Sequence, residues 1–139
     1  MTYVEPATIE VGTALPELVI TADPTFVIST ALATRDFQDV HHDRDKAVAR
    51  GSKDIFVNIL TDTGLVQRFV TDWAGPRAIV KSVALRLGVP LYGGDTLTLS
   101  GTVSAIHGKT SISMSSAATA SVTTSRRKPL SHCGGHDDR

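Results

Sequence analysis

Residues 54–76 read DIFVNILTDTGLVQRFVTDWAGP. Projected at 100° per residue, Ile55, Ile59, Val66, Phe69, Val70 and Trp73 share one stripe, the pattern of a helix with one buried face. The spacing predicts a long helix from Ile55 to Trp73, with Asp54 as its N-cap and Gly75-Pro76 blocking its continuation. From Arg77 the period changes to two: Ile79, Val83, Leu85 and Leu87 share a face, with Lys81 as the exception, which predicts a strand. After the turn GVPLYGGD (88–95), TLTLSGTVSAI (96–106) predicts a second strand. His107-Gly108 then turns the chain into a third, KTSISMSSA (109–117).

Upstream, LPELVITADP (15–24) suggests a Pro turn and TFVIST (25–30) a first strand, being β-branched and aromatic. Residues 35–54 hold ten formal charges and little apolar surface, which suggests a loop with one short helix, DKAVAR (45–50), capped by Asp43 and ended by Gly51. The order is strand, loop, long helix and antiparallel meander. One amphipathic helix and one sheet must bury their apolar faces against each other, which predicts an α+β fold with the sheet wrapped around the helix. A doubly wound dinucleotide fold is excluded, because it needs strands and helices in alternation. A single domain is expected over 1–118. The segment 119–139 lacks apolar periodicity and reads as an irregular tail.

The chain's 139 residues, 41% hydrophobic and 20% charged, supply a sizeable core, since a chain of this length buries roughly 68% of its unfolded surface. Its 14 Lys+Arg balance 14 Asp+Glu, which argues against binding driven by nucleic-acid phosphates. No apolar run approaches the ~20 residues of a membrane span. The start lacks the basic residues of a signal peptide, and Cys133 has no partner for an internal disulfide. Together these suggest a cytoplasmic protein.

Asp36 and His41 are the residue types of an acid/base pair at neutral pH. Five positions put them about 140° apart in a helix and on opposite faces of a strand, so only a turn brings them together. Gln38-Asp39 is suited to make one. The plainer reading has Asp36, Asp39 and Asp43 capping and turning a solvated loop, and spacing alone favours it. A metal site of His41, His42, Asp43 and Asp45 is weaker, because adjacent histidines diverge in any regular element. The tail cluster His132, Cys133, His136 and Asp137 is weaker still, and the expectation is that no metal is bound.

The run TRDFQDVHHD (34–43) resembles the signature of the MaoC-like (R)-specific enoyl-CoA hydratases, an aspartate five residues before a histidine with a second aspartate two beyond. VPLYGGDTL (89–97), followed by Gly101 and Val103, resembles that family's Pro-Val-x-x-Gly-Asp-Thr-Leu turn and strand. The resemblance covers about residues 15–106. Within the family, residues 34–73 are similar to the small subunits of heteromeric actinobacterial hydratases acting on steroid side-chain thioesters.

The resemblance implies a hotdog fold and addition of water to a trans-2-enoyl-CoA. It implies Asp36 as the base, His41 orienting the same water, and the N–H of Ile59 beside Asn58 stabilising charge on the thioester oxygen. It implies pairing with a second hotdog chain, identical or different, and no cofactor beyond the coenzyme A of the substrate. The chain departs from the family in four places. It has Arg35-Asp36 for Gly-Asp, Gln38-Asp39 for Asn-Pro, and Asn58-Ile59 for His-Gly at the central helix. The residues after Ser116 do not resemble the family's last strand.

Arg50, Lys53 and Arg77 are candidate contacts for the coenzyme phosphates, although solvated surface charge is the plainer reading for each. Asp62 falls on the apolar stripe and needs a partner, for which Arg86 or a subunit contact is expected. Phe69 and Trp73 read as core. A hotdog thioesterase and a non-catalytic hotdog completing a partner's pocket are the rival functions.

Overall fold

Leu18, Ile20 and Ala22 alternate toward one side of β1 (Ala14–Ala22), while Val19 and Thr21 face out. Leu15 joins the inward set across a register shift that takes up Pro16 and Glu17, where a residue without an N–H fits best. A computed structural model describes residue 4, residues 8–107 and the strand 111–121. β1 pairs antiparallel with β2 (Asp95–His107), setting Leu18 opposite Leu99 and Ile20 opposite Leu97. β3 (Ser111–Ser121) pairs antiparallel with the other edge of β2, giving the order β1-β2-β3.

The second and third strands thus form where the alternation predicted them, and β3 runs on to Ser121. Residues 122–139, with the His132, Cys133, His136 and Asp137 cluster, lie outside the described residues.

TFVIST is not a strand. It lies inside α1 (Pro24–Ala33), and the first strand is the LPELVITA segment just before it. The cap overrides β propensity: Asp23 Oδ1 accepts the Phe26 N–H and Pro24 presets the first helical φ. Thr30 fits by donating its hydroxyl to the Phe26 carbonyl at 2.8 Å. The short helix appears as expected, as α2 (Arg44–Ala49), with the Asp43 side chain accepting from Lys46 N and Gly51 following at φ 87°.

The long helix, α3 (Ile59–Ala74), starts four residues later than predicted. Asp54 does not cap it, because its carboxylate accepts the N–H of Ile55 next to it. Residues 55–57 are extended and stitched to 91–93: Phe56 bridges Tyr92, Val57 N–H reaches Leu91 O at 2.9 Å, and Gly93 N–H reaches Ile55 O at 3.1 Å. Asn58 is the actual cap, accepting from Thr61 N at 2.9 Å, and Gly75 ends the helix at φ 85°. The helix buries Thr61, Leu65 and Phe69, with Val66, Val70 and Trp73 partly covered, against Leu97, Leu99 and Val103 of β2. The result is an antiparallel sheet with helices on its inner face. Among the described residues no helix is long and apolar enough to cross a membrane.

The strand expected from Arg77 is absent. Residues 79–88 have no regular structure, and Ile79 is 85% exposed, with Leu85, Leu87 and Val89 also exposed. Alternation alone does not make a strand; a free edge must complete its backbone hydrogen bonds. This segment pairs with no strand among the described residues, neither along the outer edge of β1 nor along that of β3.

Candidate active site

The C-terminus of α1 places Asp36. Thr34 caps the helix, Arg35 N–H bonds Leu32 O at 3.0 Å, and Asp36 N–H bonds Ala31 O at 2.9 Å, which is a Schellman closure. Arg35 occupies its left-handed position at φ 57°, the conformation usually given to glycine. The turn the sequence left unexplained is therefore made by an arginine. Asp36 Oδ1 then accepts the Gln38 N–H at 3.3 Å, so Asp36 itself, and not Asp39, forms the side-chain turn.

A single 3₁₀ turn, Asp39–His41, carries the chain back, and His41 is only 6% exposed. Its Nε2 stands 3.4 Å from Asp36 Oδ2. The pair predicted to need a turn is brought together by two. His41 Nδ1 lies 2.7 Å from the Phe56 carbonyl, which accepts only, so Nδ1 carries the hydrogen, and in the neutral form of the ring the lone pair is at Nε2. Phe56 also packs edge-on against the imidazole, with centroids 4.9 Å apart. Its carbonyl is held by the 55–57 to 91–93 stitching, and that second segment is closed by Asp95, 5% exposed, whose carboxylate accepts Tyr92 N–H at 3.0 Å. Gly94 permits this turn at φ 101°. Through Phe56 the two sequence motifs support one imidazole.

Asn58, 2% exposed, joins the same cluster. Its Nδ2 donates to Thr34 Oγ1 at 2.7 Å and to Asp36 Oδ2 at 3.1 Å. Ile59 is the first residue of α3 and 54% exposed, and its N–H meets no acceptor among the described residues. The positive end of α3 therefore opens beside the Asp36–His41 pair. Sequence reading missed Thr34 and the Phe56 carbonyl as parts of the site. Thr34 sat within the quoted motif, whereas a backbone carbonyl leaves no signal in side-chain types.

The remaining candidates fall elsewhere. Arg50 is tied to Asp39 at 2.9 Å and Lys53 lies over the Tyr92 ring at 5.4 Å, while Arg77 is exposed. Among the described residues no cluster of His, Cys, Asp and Glu is assembled for a metal. Asp62, half-buried in the first turn of α3, makes no bridge to the exposed Arg86, and burial raises its pKa to about 6. Phe69 is core, as expected, and with Trp73 it also borders a cavity of about 200 Å³ lined by Pro16, Glu17, Leu18 and Asp72, apart from the pair.

The chain shares its fold with hydratases of known structure. It matches an (R)-hydratase from A. caviae involved in PHA biosynthesis with a TM-score of 0.74 at 19% identity, over 81% of this chain and 86% of that one. It matches a chain of the ChsH1–ChsH2 complex from Mycobacterium tuberculosis with a TM-score of 0.76 at 65% identity, over 80% of this chain and 87% of that one. No protein-family model matches.

Among curated proteins, it is 75% identical over 97 residues to the 3-oxo-4,17-pregnadiene-20-carboxyl-CoA hydratase beta subunit of Mycobacterium tuberculosis, spanning 70% of this chain and 75% of that protein. The chain belongs to the MaoC-like hydratase family.

Proposed function

We propose that this chain is the catalytic subunit of a heteromeric enoyl-CoA hydratase, built as a hotdog unit and acting on a steroid side-chain thioester. The observation that carries the catalytic part is the Asp36–His41 pair with its fixed tautomer. Asp36 Oδ2 and a neutral Nε2 are both acceptors, and 3.4 Å is longer than a charge-assisted hydrogen bond. A water at this pair would donate one hydrogen to each and turn its oxygen lone pair outward, toward C3 of a bound enoyl group. Asp36 takes one water proton as the C3–O bond forms, and a proton is returned to C2 from the pair. The other water hydrogen stays on the new hydroxyl. Charge passing to the thioester oxygen is met by the open Ile59 N–H at the start of α3. The reading calls for no metal or redox cofactor.

The steroid substrate and the second subunit are supported by what the relatives are, a hydratase beta subunit for a pregnadiene carboxyl-CoA and a two-component complex. The exposed apolar side chains of 79–89 supply surface that a second hotdog chain would cover. Loss of enoyl-thioester absorbance, followed with and without a second MaoC-like chain for a short acyl-CoA and a steroid enoyl-CoA, tests this. Hydration of the steroid substrate by the pair of chains, without release of free thiol, is the expected result. Thiol release would show a thioesterase. Unchanged hydration by the complex when Asp36 is replaced would show that this chain only completes its partner's pocket.

A further inference from the structure

We infer that Asn58 is a positioning residue that couples the start of α3 to the carboxylate of Asp36, an inference that rests on the hydratase reading above. The amide is fully committed and its orientation is fixed. Its Oδ1 must be the atom facing Thr61, because a backbone N–H there needs an acceptor at 2.9 Å. The opposite side must be the NH2, because Thr34 spends its own hydroxyl hydrogen on the Thr30 carbonyl at 2.8 Å and can only accept from Asn58 at 2.7 Å. The second amide hydrogen then points at Asp36 Oδ2, 3.1 Å away.

Two elements meet at this one side chain. The Schellman turn of α1 supplies Thr34 and Asp36, and α3 supplies Thr61 and the adjoining Ile59 N–H. A donor on Oδ2 fixes the plane of the carboxylate relative to His41. The same amide holds that carboxylate in register with the first free N–H of α3. With its side chain 2% exposed and every polar group engaged, Asn58 acts through Asp36 and not on substrate. This differs from a direct substrate-binding role for its side chain.

Two replacements separate this role from simple capping. Asn58→Ser and Asn58→Asp both retain a good N-cap oxygen for Thr61. Serine is too short to reach Asp36, whereas aspartate sets a second carboxylate against it. In the assembled hydratase, kcat is expected to fall roughly ten- to a hundredfold in Asn58→Ser with KM little changed. In Asn58→Asp the acid limb of the kcat/KM profile is expected to move up by about one pH unit or more. Wild-type kcat and an unmoved acid limb in whichever of the two assembles would overturn the inference and leave Asn58 as a helix cap. Asp36→Asn, measured alongside, keeps the tests distinct: full activity there would defeat the hydratase reading itself.

Discussion

Residues 31–61 and residues 77–90 have nearly opposite sequence character, and the structure resolves them in the opposite way from what apolar patterning suggests. The first stretch is crowded with charge, yet Asp36, His41 and Asn58 close a network in which each is held at hydrogen-bond or near-contact distance. The second alternates apolar residues like a strand, yet Ile79 and Val89 are largely exposed. Order follows from whether a segment's polar backbone and side chains find partners within the chain, and hydrophobic alternation is insufficient without them. The charged stretch completes itself. The apolar one leaves its side chains exposed.

The largest effect expected from this contrast is catalytic. Replacing His41 by Ala removes the Nε2 acceptor and leaves the Phe56 carbonyl unpaired, and turnover should fall by roughly 10² to 10⁴; a kcat near wild type would break the closed-network account. Next comes core packing: Leu99→Ala, at a site 1% exposed, should cost about 2–5 kcal/mol in denaturant unfolding. Ile79→Ser sharpens the other side. It should change the stability of the isolated chain by no more than about 0.5 kcal/mol while weakening association with a second chain, and a large loss of stability in the isolated chain would mean that Ile79 packs within its own chain.

Two smaller effects concern single residues at the rim of the network. The folded chain holds the Asp62 proton up to a pH of about 6, whereas the unfolded carboxyl loses it near its ordinary value of 3.8. Between these values the unfolded chain has released the proton that the folded chain still holds, so stability falls as pH rises from about 4 to about 6. Asp62→Asn should flatten that slope and stabilise the chain at pH 7 by about 1–2 kcal/mol, a range reduced for the solvent that still screens the carboxylate. Arg35→Gly relieves the left-handed cost at φ 57° against the greater flexibility of glycine when unfolded, and should raise stability by at most about 1 kcal/mol. A loss on Arg35→Gly would show that the arginine side chain contributes contacts outweighing its strain.

The parts legible from sequence were those whose signal is local and carried by side chains. The β2–β3 pair, the Asp43 cap and the need for a turn between Asp36 and His41 were all written in residue types and spacing. The errors arose where a short-range cue met a stronger neighbour. Asp23-Pro24 turned a β-branched run into α1, and the pairing of 55–57 with 91–93 delayed α3 until Asn58. The strand at 77 failed because the segment pairs with neither outer edge of the sheet among the described residues. Within the site, the Asp36–His41 pair was visible as residue types, but the amide donor of Asn58 and the carbonyl of Phe56 became visible only once two distant segments met.

The central claim is that this chain, through Asp36, performs the hydration. The direct test is the turnover of enoyl-CoA by the assembled protein carrying Asp36→Asn, with assembly and substrate binding measured on the same sample. The account predicts intact assembly and binding with turnover reduced by roughly 10² or more. Turnover equal to that of the unaltered complex would contradict it.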